Sequence, residues 1–209
     1  MPEKKAPGVY IKEVSSGSKP IEGVGTAVAA FIGLARKGPQ GKPIHLSSFL
    51  DFERAFGGLQ SNFELGYGVR LFFENGGADA WVVRVAELGE VANALAAFDS
   101  VATIGLLCMP GCVDAGAAQA ALAYSDRRRA FLVVDPSGSD AQATQDLAAT
   151  LRATGSSKAA VYFPRLLVAN PLAAGAPRPT APSGAVAGLI ARTDSASGVW
   201  KPPTGLQAR

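Results

Sequence analysis

The stretch "RRRAFLVVDPSGSDAQATQDLAATLRATGSSKAAVYF", residues 127–163, decides the fold class. "AFLVV" is a short apolar run rich in β-branched and aromatic residues, which predicts a buried strand. "SDAQATQDLAATLRATGS" places Leu147 and Leu151 four apart, one face of a helix. "SKAAVYFPRLLVAN" predicts a second strand, interrupted by Pro164. Upstream, "VATIGLLCMPG" and "DAGAAQAALAYSD" repeat the strand–helix alternation. Consecutive strand–helix–strand units imply crossover connections and a largely parallel sheet.

Working toward the N-terminus, "TAVAAFIGLA" (26–35) is apolar on both faces, as a covered strand is. "SSFLDFERAFGG" predicts a short helix capped by Ser47 or Ser48, with Phe49, Phe52 and Phe56 on one face and Gly57-Gly58 as its stop. "FELGYGVRLFFENGG" predicts a second helix with Leu65, Val69 and Phe72 or Phe73 inward, weakened by Gly66 and Gly68. "ADAWVVRVAE" predicts a central strand containing Trp81, Val82 and Val83, and "ANALAAFDSV" a third short helix. Toward the C-terminus, residues 171–184 hold four prolines and read as an irregular loop. "AVAGLIARTD" predicts a last short helix, and nothing further is expected after it.

Residues 1–25 read as an arm. "GVYIKEV" alternates like a strand, with no second strand within hairpin reach, and "SSGSKPIEGVG" has the chemistry of a linker. The expected class is therefore α/β, with a mixed, largely parallel sheet, flanking helices and an extended N-terminal strand arm. The expected divisions are the arm at 1–25, an α/β body at 26–200 and a C-terminal extension at 201–209.

The 209 residues are 48% hydrophobic and 18% charged, with a formal net charge of +3. That composition is globular rather than disordered. Arg127–Arg129 reads as a solvated turn before a strand. No basic stripe is interleaved with aromatics, so nucleic acid is not an expected partner. No apolar run approaches the ~20 residues that a membrane span needs, and membrane insertion is not expected. "MPEKKAPG" is not followed by an apolar leader segment, so folding in a cytoplasm is expected.

"GVGTAV" (23–28) starts like a dinucleotide loop, but its third position is Val28, and it leads into a strand where the motif needs a helix. No phosphate loop and no nucleophile elbow occur. Cys108 and Cys112 are separated by three residues, with no second ligand pair, so neither a metal nor a redox pair is expected. His45, the only histidine, reads as a half-exposed loop residue and otherwise as a general base without a partner. Asp135 is either a turn initiator before Pro136 or a functional carboxylate at a strand end. Catalytic, cofactor and metal residues are expected to be none.

"PGVYIKEVSSGSKPIEGVGTAVAAFIGLARKGP", "FERAFGG", "FFENGGADAWVVRV" and "YFPRLLVANP…APSGAVAGLIARTDSASGVWKPPTG" lie in one order along the chain. Together they resemble contractile tail sheath proteins of tailed phages and contractile injection systems. The chain departs from that family at Pro164-Arg165, where the family carries Pro-Trp, and the resemblance implies a further C-terminal domain beyond the end of this sequence. It also implies a non-enzymatic structural subunit that polymerises helically around a tail tube and contracts to drive the tube through a target envelope. Its partners would be other copies of itself, tube proteins and baseplate proteins. Its location would be a virion tail or an extracellular injection particle. The strand given to a neighbouring subunit would be Val9, Tyr10, Ile11, Lys12, Glu13 and Val14, and its hinge Ser15, Ser16, Gly17 and Ser18. Two alternatives stand beside this reading: a shortened sheath-like paralogue or terminator that caps the array, and a small-molecule-binding α/β domain.

Overall fold

The structure, a computed structural model, describes residues 27–135, 138 and 140–204. The expected donor strand Val9–Val14 and hinge Ser15–Ser18 lie outside the described residues.

Six strands form the main sheet: β1 (Ala29–Leu34), β2 (Pro43–Leu46), β3 (Ala80–Val85), β4 (Leu106–Cys108), β5 (Phe131–Val134) and β6 (Ala159–Val161). Their spatial order is β2-β3-β1-β4-β5-β6, parallel throughout except for β2, which runs antiparallel at one edge. The expected mixed, largely parallel sheet is thus present. The two-residue side-chain period sorts each strand between two cores. Ile32, Val83, Leu107 and Leu132 face one layer, and Phe31, Val82, Leu106 and Val133 face the other.

The first layer is covered by α3 (Val91–Ala94), α4 (Ala115–Arg128) and α5 (Ala141–Arg152). The second is covered by α1 (Phe49–Phe56), α2 (Leu65–Glu74) and α6 (Ser183–Ser197). In α1, Ser48 is the cap, its Oγ accepting from the Asp51 N–H, and Gly57 closes the helix at φ 90°. Phe52, Phe56, Leu65, Val69 and Phe72 are buried as their spacing predicts.

Several elements differ from expectation. The predicted third helix is only four residues of α-helix, continued by a 3-10 segment, Leu95–Ser100. The predicted strand around residues 101–111 contracts to three residues. Trp81 is half-buried, unlike Val82 and Val83, because β2 beside it is an edge strand that leaves its ring open to His45, 4.9 Å away. Arg128 is not solvated. It occupies the last turn of α4 and donates to the carbonyls of Phe98, Val101 and Ala102, satisfying a connection that has few backbone partners of its own.

The largest correction concerns residues 171–184. They are not an irregular loop. β7 (Leu166–Ala169) and β8 (Pro177–Thr180) make a separate two-stranded antiparallel ribbon, and α6 follows directly, fifteen residues long. Prolines are compatible with β8 because every strand of a two-stranded ribbon is an edge.

The glycines of α2 and α6 have a packing role. A Cβ on Gly184 would stand 2.0 Å from the Gly68 carbonyl oxygen, and one on Gly188 would stand 2.4 Å from that of Phe72. The two helix backbones touch, and no side chain larger than hydrogen fits between them. Gly184→Ala should therefore destabilise the fold by roughly 3 kcal/mol through overpacking. Gly89→Ala, with nothing within 4 Å of the new methyl, should change stability by less than about 0.5 kcal/mol. Urea titrations of the two variants check this.

Candidate assembly surface

In open α/β sheets the ligand crevice lies beyond the carboxyl ends of the strands, where the strand order reverses. Here that point lies between β1 and β4. Side chains of the chain itself lie near it. Pro110, just after β4, packs its ring against Gly68, and Glu64, just before α2, lies against Gly111.

Glu64 is the hub. Arg165 Nη2 reaches its Oε1 at 2.7 Å, and Arg178 grips both carboxylate oxygens at 3.1 and 3.3 Å. The Ala181 N–H donates to Glu64 at 3.3 Å, and Arg178 also donates to the Ser61 carbonyl. The Arg178 guanidinium stands 3.9 Å above the Tyr67 ring, whose hydroxyl donates to Asn170 at 2.8 Å. All three charged side chains are at least four-fifths buried. Bidentate and stacked contacts of this kind suit arginine and not lysine. They fix the β7–β8 ribbon to the start of α2. Arg165, the residue that departs from the resembled family, takes part directly.

Asp135 is buried and accepts from the Ser183 N–H at 2.8 Å and from the Ser183 hydroxyl at 2.7 Å. It satisfies the first N–H of α6, so its role is a helix cap supplied from another strand. The turn expected at Pro136 lies outside the described residues. Burial raises its pKa to about 6, against the opposing pull of the Ser183 bonds. Burial also raises both cysteine thiols, Cys108 the more strongly, which disfavours the reactive thiolate.

His45 lies on strand β2, not in a loop, and pairs with Asp79 at 2.8 Å, both half-exposed. Its neighbours are thus a carboxylate and the Trp81 indole, neither an activated nucleophile. Among the described residues no group of three or more His, Cys, Asp or Glu is placed to hold a metal. No helix among them is long and apolar enough to cross a membrane.

What the surface does present is apolar area. Phe163, Leu166, Leu167 and Leu172 are exposed on or beside the β7–β8 ribbon, Leu167 at 73%. Val199 and Trp200 are exposed after α6, beside a groove of about 530 Å³ walled by Ile104, Phe131, Tyr162 and Ile190. Exposed apolar patches of this kind mark contacts with other proteins. The ribbon and the Glu64 hub were missed in the sequence. Pro177 and Pro179, two apart, were the available signal, since they face one edge of a strand.

No family model and no curated protein matches the chain. Solved structures do. The helical sheath of the anti-feeding prophage (AFP) in its contracted state is 26% identical, with a TM-score of 0.66 over 95% of this chain and 55% of that one. A chain of the contracted AFP baseplate is 23% identical, with a TM-score of 0.75 over 96% and 58%. The contracted sheath complex of an extracellular contractile injection system, PVC, is 22% identical, with a TM-score of 0.67 over 99% and 56%. This chain therefore spans a little over half the length of the chains it matches. These likenesses support a contractile tail sheath-like family and a sheath-like structural role.

Two measurements probe the polar centre. Glu64→Gln should destabilise by about 3 kcal/mol, because two largely buried guanidinium groups lose their counter-charge, and should expose the ribbon to proteolysis. For Asp135 the folded carboxyl binds its proton more tightly than the unfolded one. Its contribution to stability is therefore highest below pH ~4 and falls as pH rises to about 6, a loss of roughly 3 kcal/mol at ~1.4 kcal/mol per pH unit. Asp135→Asn should flatten that slope when urea midpoints are compared across pH.

Proposed function

We propose that the chain is a structural subunit of a contractile tail sheath. It polymerises with copies of itself in a helical array around a tail tube, and contraction of the array drives the tube through a target envelope. The observation that carries this is the likeness to the AFP sheath chain over 95% of the present chain.

In this reading the arm, residues 1–25, donates Val9–Val14 to a neighbouring subunit, and Ser15–Ser18 is the tether that lets the body turn while the donated strand stays paired. A subunit contact that does not close on itself propagates as a helix. Tube and baseplate proteins are the other partners. Assembly takes place in the bacterial cytoplasm, and the product is a virion tail or an extracellular injection particle.

Electron microscopy tests the proposal. With its cognate tube the purified chain should form rings or helical tubes, while alone it stays mostly monomeric, and Ile11→Pro should abolish the tubes without changing the thermal unfolding of the body. Proline removes one inter-subunit N–H donor at every link of the array. A wild-type chain that never assembles overturns the sheath reading. Normal tubes from Ile11→Pro overturn the role of the arm.

A further inference from the structure

The groove beside Val199 and Trp200 lies at the amino ends of β4 and β5, the opposite end of the sheet from the strand-order crevice. Ile104, Phe131 and Ile190 give it apolar walls. Its polar groups are mostly donors without an acceptor. The side chains of Arg129 and Lys201 make no hydrogen bond or ion pair among the described residues, and neither does the Tyr162 hydroxyl. Arg128 is already engaged by the carbonyls of Phe98, Val101 and Ala102. Asp194, the carboxylate of the wall, has a partner of its own.

Several of these positions carry residues that the backbone does not call for. Arg129 closes α4 at φ 58°, a left-handed position ordinarily held by glycine or asparagine. Its main-chain N–H makes the cap bond to the Asp126 carbonyl, and its side chain is exposed. Val199 and Trp200 are the two corner residues of a turn, which the Lys201 N–H closes onto the Gly198 carbonyl at 3.1 Å. Turn corners are ordinarily glycine, proline, asparagine, aspartate or serine. Here both are apolar, 64% and 79% exposed. The indole of Trp200 is held in place over Gly198, where a Cβ would stand 2.8 Å from its Nε1. Folding gains little from an exposed tryptophan and an exposed arginine at these two sites. Around one concavity, with a tyrosine in its wall, they are the residue types that dominate binding to other proteins.

We infer that this groove docks an acidic, apolar segment of a partner protein. An aliphatic or aromatic side chain of the segment enters between Ile104, Phe131 and Ile190, and a carboxylate beside it pairs with Arg129 and Lys201. Charge complementarity sets the sign, since two unpartnered cations at an apolar groove favour an anion next to a hydrophobic group. Extent sets the class of partner. A small ligand is ordinarily buried over most of its surface, and one confined to the groove of about 530 Å³ would leave Trp200 uncovered. A polypeptide segment covers both. The inference does not rest on the sheath reading, because it uses neither the arm nor a contact between copies.

The test is fluorescence anisotropy on the full chain, with a fluorescein-labelled synthetic peptide whose central leucine–phenylalanine pair is flanked by glutamates. The wild-type chain should bind it saturably. The same peptide with glutamine for every glutamate should bind about tenfold more weakly. Trp200→Ala and Arg129→Gly should each weaken binding about tenfold. Arg129→Gly removes the guanidinium and suits the left-handed backbone, so its melting temperature should not fall, which separates binding from folding. Arg54→Gln removes an exposed cation of α1 outside the groove and should bind like wild type, which separates the groove from net charge. Equal affinity for the two peptides overturns the inference. So does Arg129→Gly binding like wild type, or Arg54→Gln weakening binding as much as Arg129→Gly does. Absence of binding also overturns it, and two further readouts then identify the occupant. Self-association in sedimentation that Trp200→Ala abolishes assigns the groove to a second copy. Shielding of Trp200 from iodide quenching in a Trp81→Phe monomer assigns it to a segment of the same chain.

Discussion

The contact between α2 and α6 is the constraint on which the second layer of the molecule depends. Gly68 and Gly184 meet backbone to backbone, as do Phe72 and Gly188. This approach lets both helices lie on the same sheet face above Phe31, Val82 and Val133. It also fixes where α6 begins. Ser183 comes within hydrogen-bond reach of Asp135 at the end of β5. The ribbon that runs directly into α6 then falls beside the start of α2, where Glu64 receives Arg165 and Arg178. A larger residue at Gly184 would move the helix start, the cap and the salt-bridge cluster together.

The same topology places charged side chains of the chain itself at the starts of two helices. The crevice at the strand-order reversal is a place where backbone N–H groups and helix starts favour negative charge. In this chain the negative charge is internal. Glu64 stands at the start of α2 and Asp135 at the start of α6, each held by donors from the chain itself. Asp135 is costly to ionise, since burial dominates its environment, and the two Ser183 bonds recover only part of that cost. Its value lies in position. It joins the end of β5 to α6 at a point where an uncapped helix start would leave a buried N–H unpaired.

The parallel sheet was legible because strand and helix periods alternate cleanly from residue 101 onward, and because Phe52, Leu65 and Val69 recur at helical spacing. The short elements were not. β2 is four residues with a proline and a histidine, and it gains strand geometry only by pairing with β3. β8 reads as loop by propensity, since Pro177 and Pro179 suppress it, and only their spacing of two marks a shared strand edge. Only the opposite strand shows that they occupy the outward positions. The partners of Asp135 and Glu64 lie 48 and up to 117 residues away. No local motif could supply them. Arg128 was misread for the same reason, as its acceptors belong to a different connection.

Edges decide what remains available to a partner. β2 is flanked by Lys42 and begins with Pro43, and β6 is only three residues long. β8 is closed by its prolines. β7 is the longest unguarded edge of the ribbon, and it is tied to the body by two routes. One is covalent, from β8 through Ala181 and Pro182 into α6, whose first turn is held to the sheet by Asp135. The other is electrostatic, through Arg165 and Arg178 to Glu64 at the head of α2. Both routes end on the pair of helices that cross at Gly68 and Gly184. A load on β7 is therefore shared between two buried helices instead of being concentrated on a single turn. Charge-assisted, bidentate bonds and a stacked guanidinium are stiff in direction, so the ribbon keeps its orientation relative to the sheet. That combination is an apolar strand edge on a mount fixed to two helices.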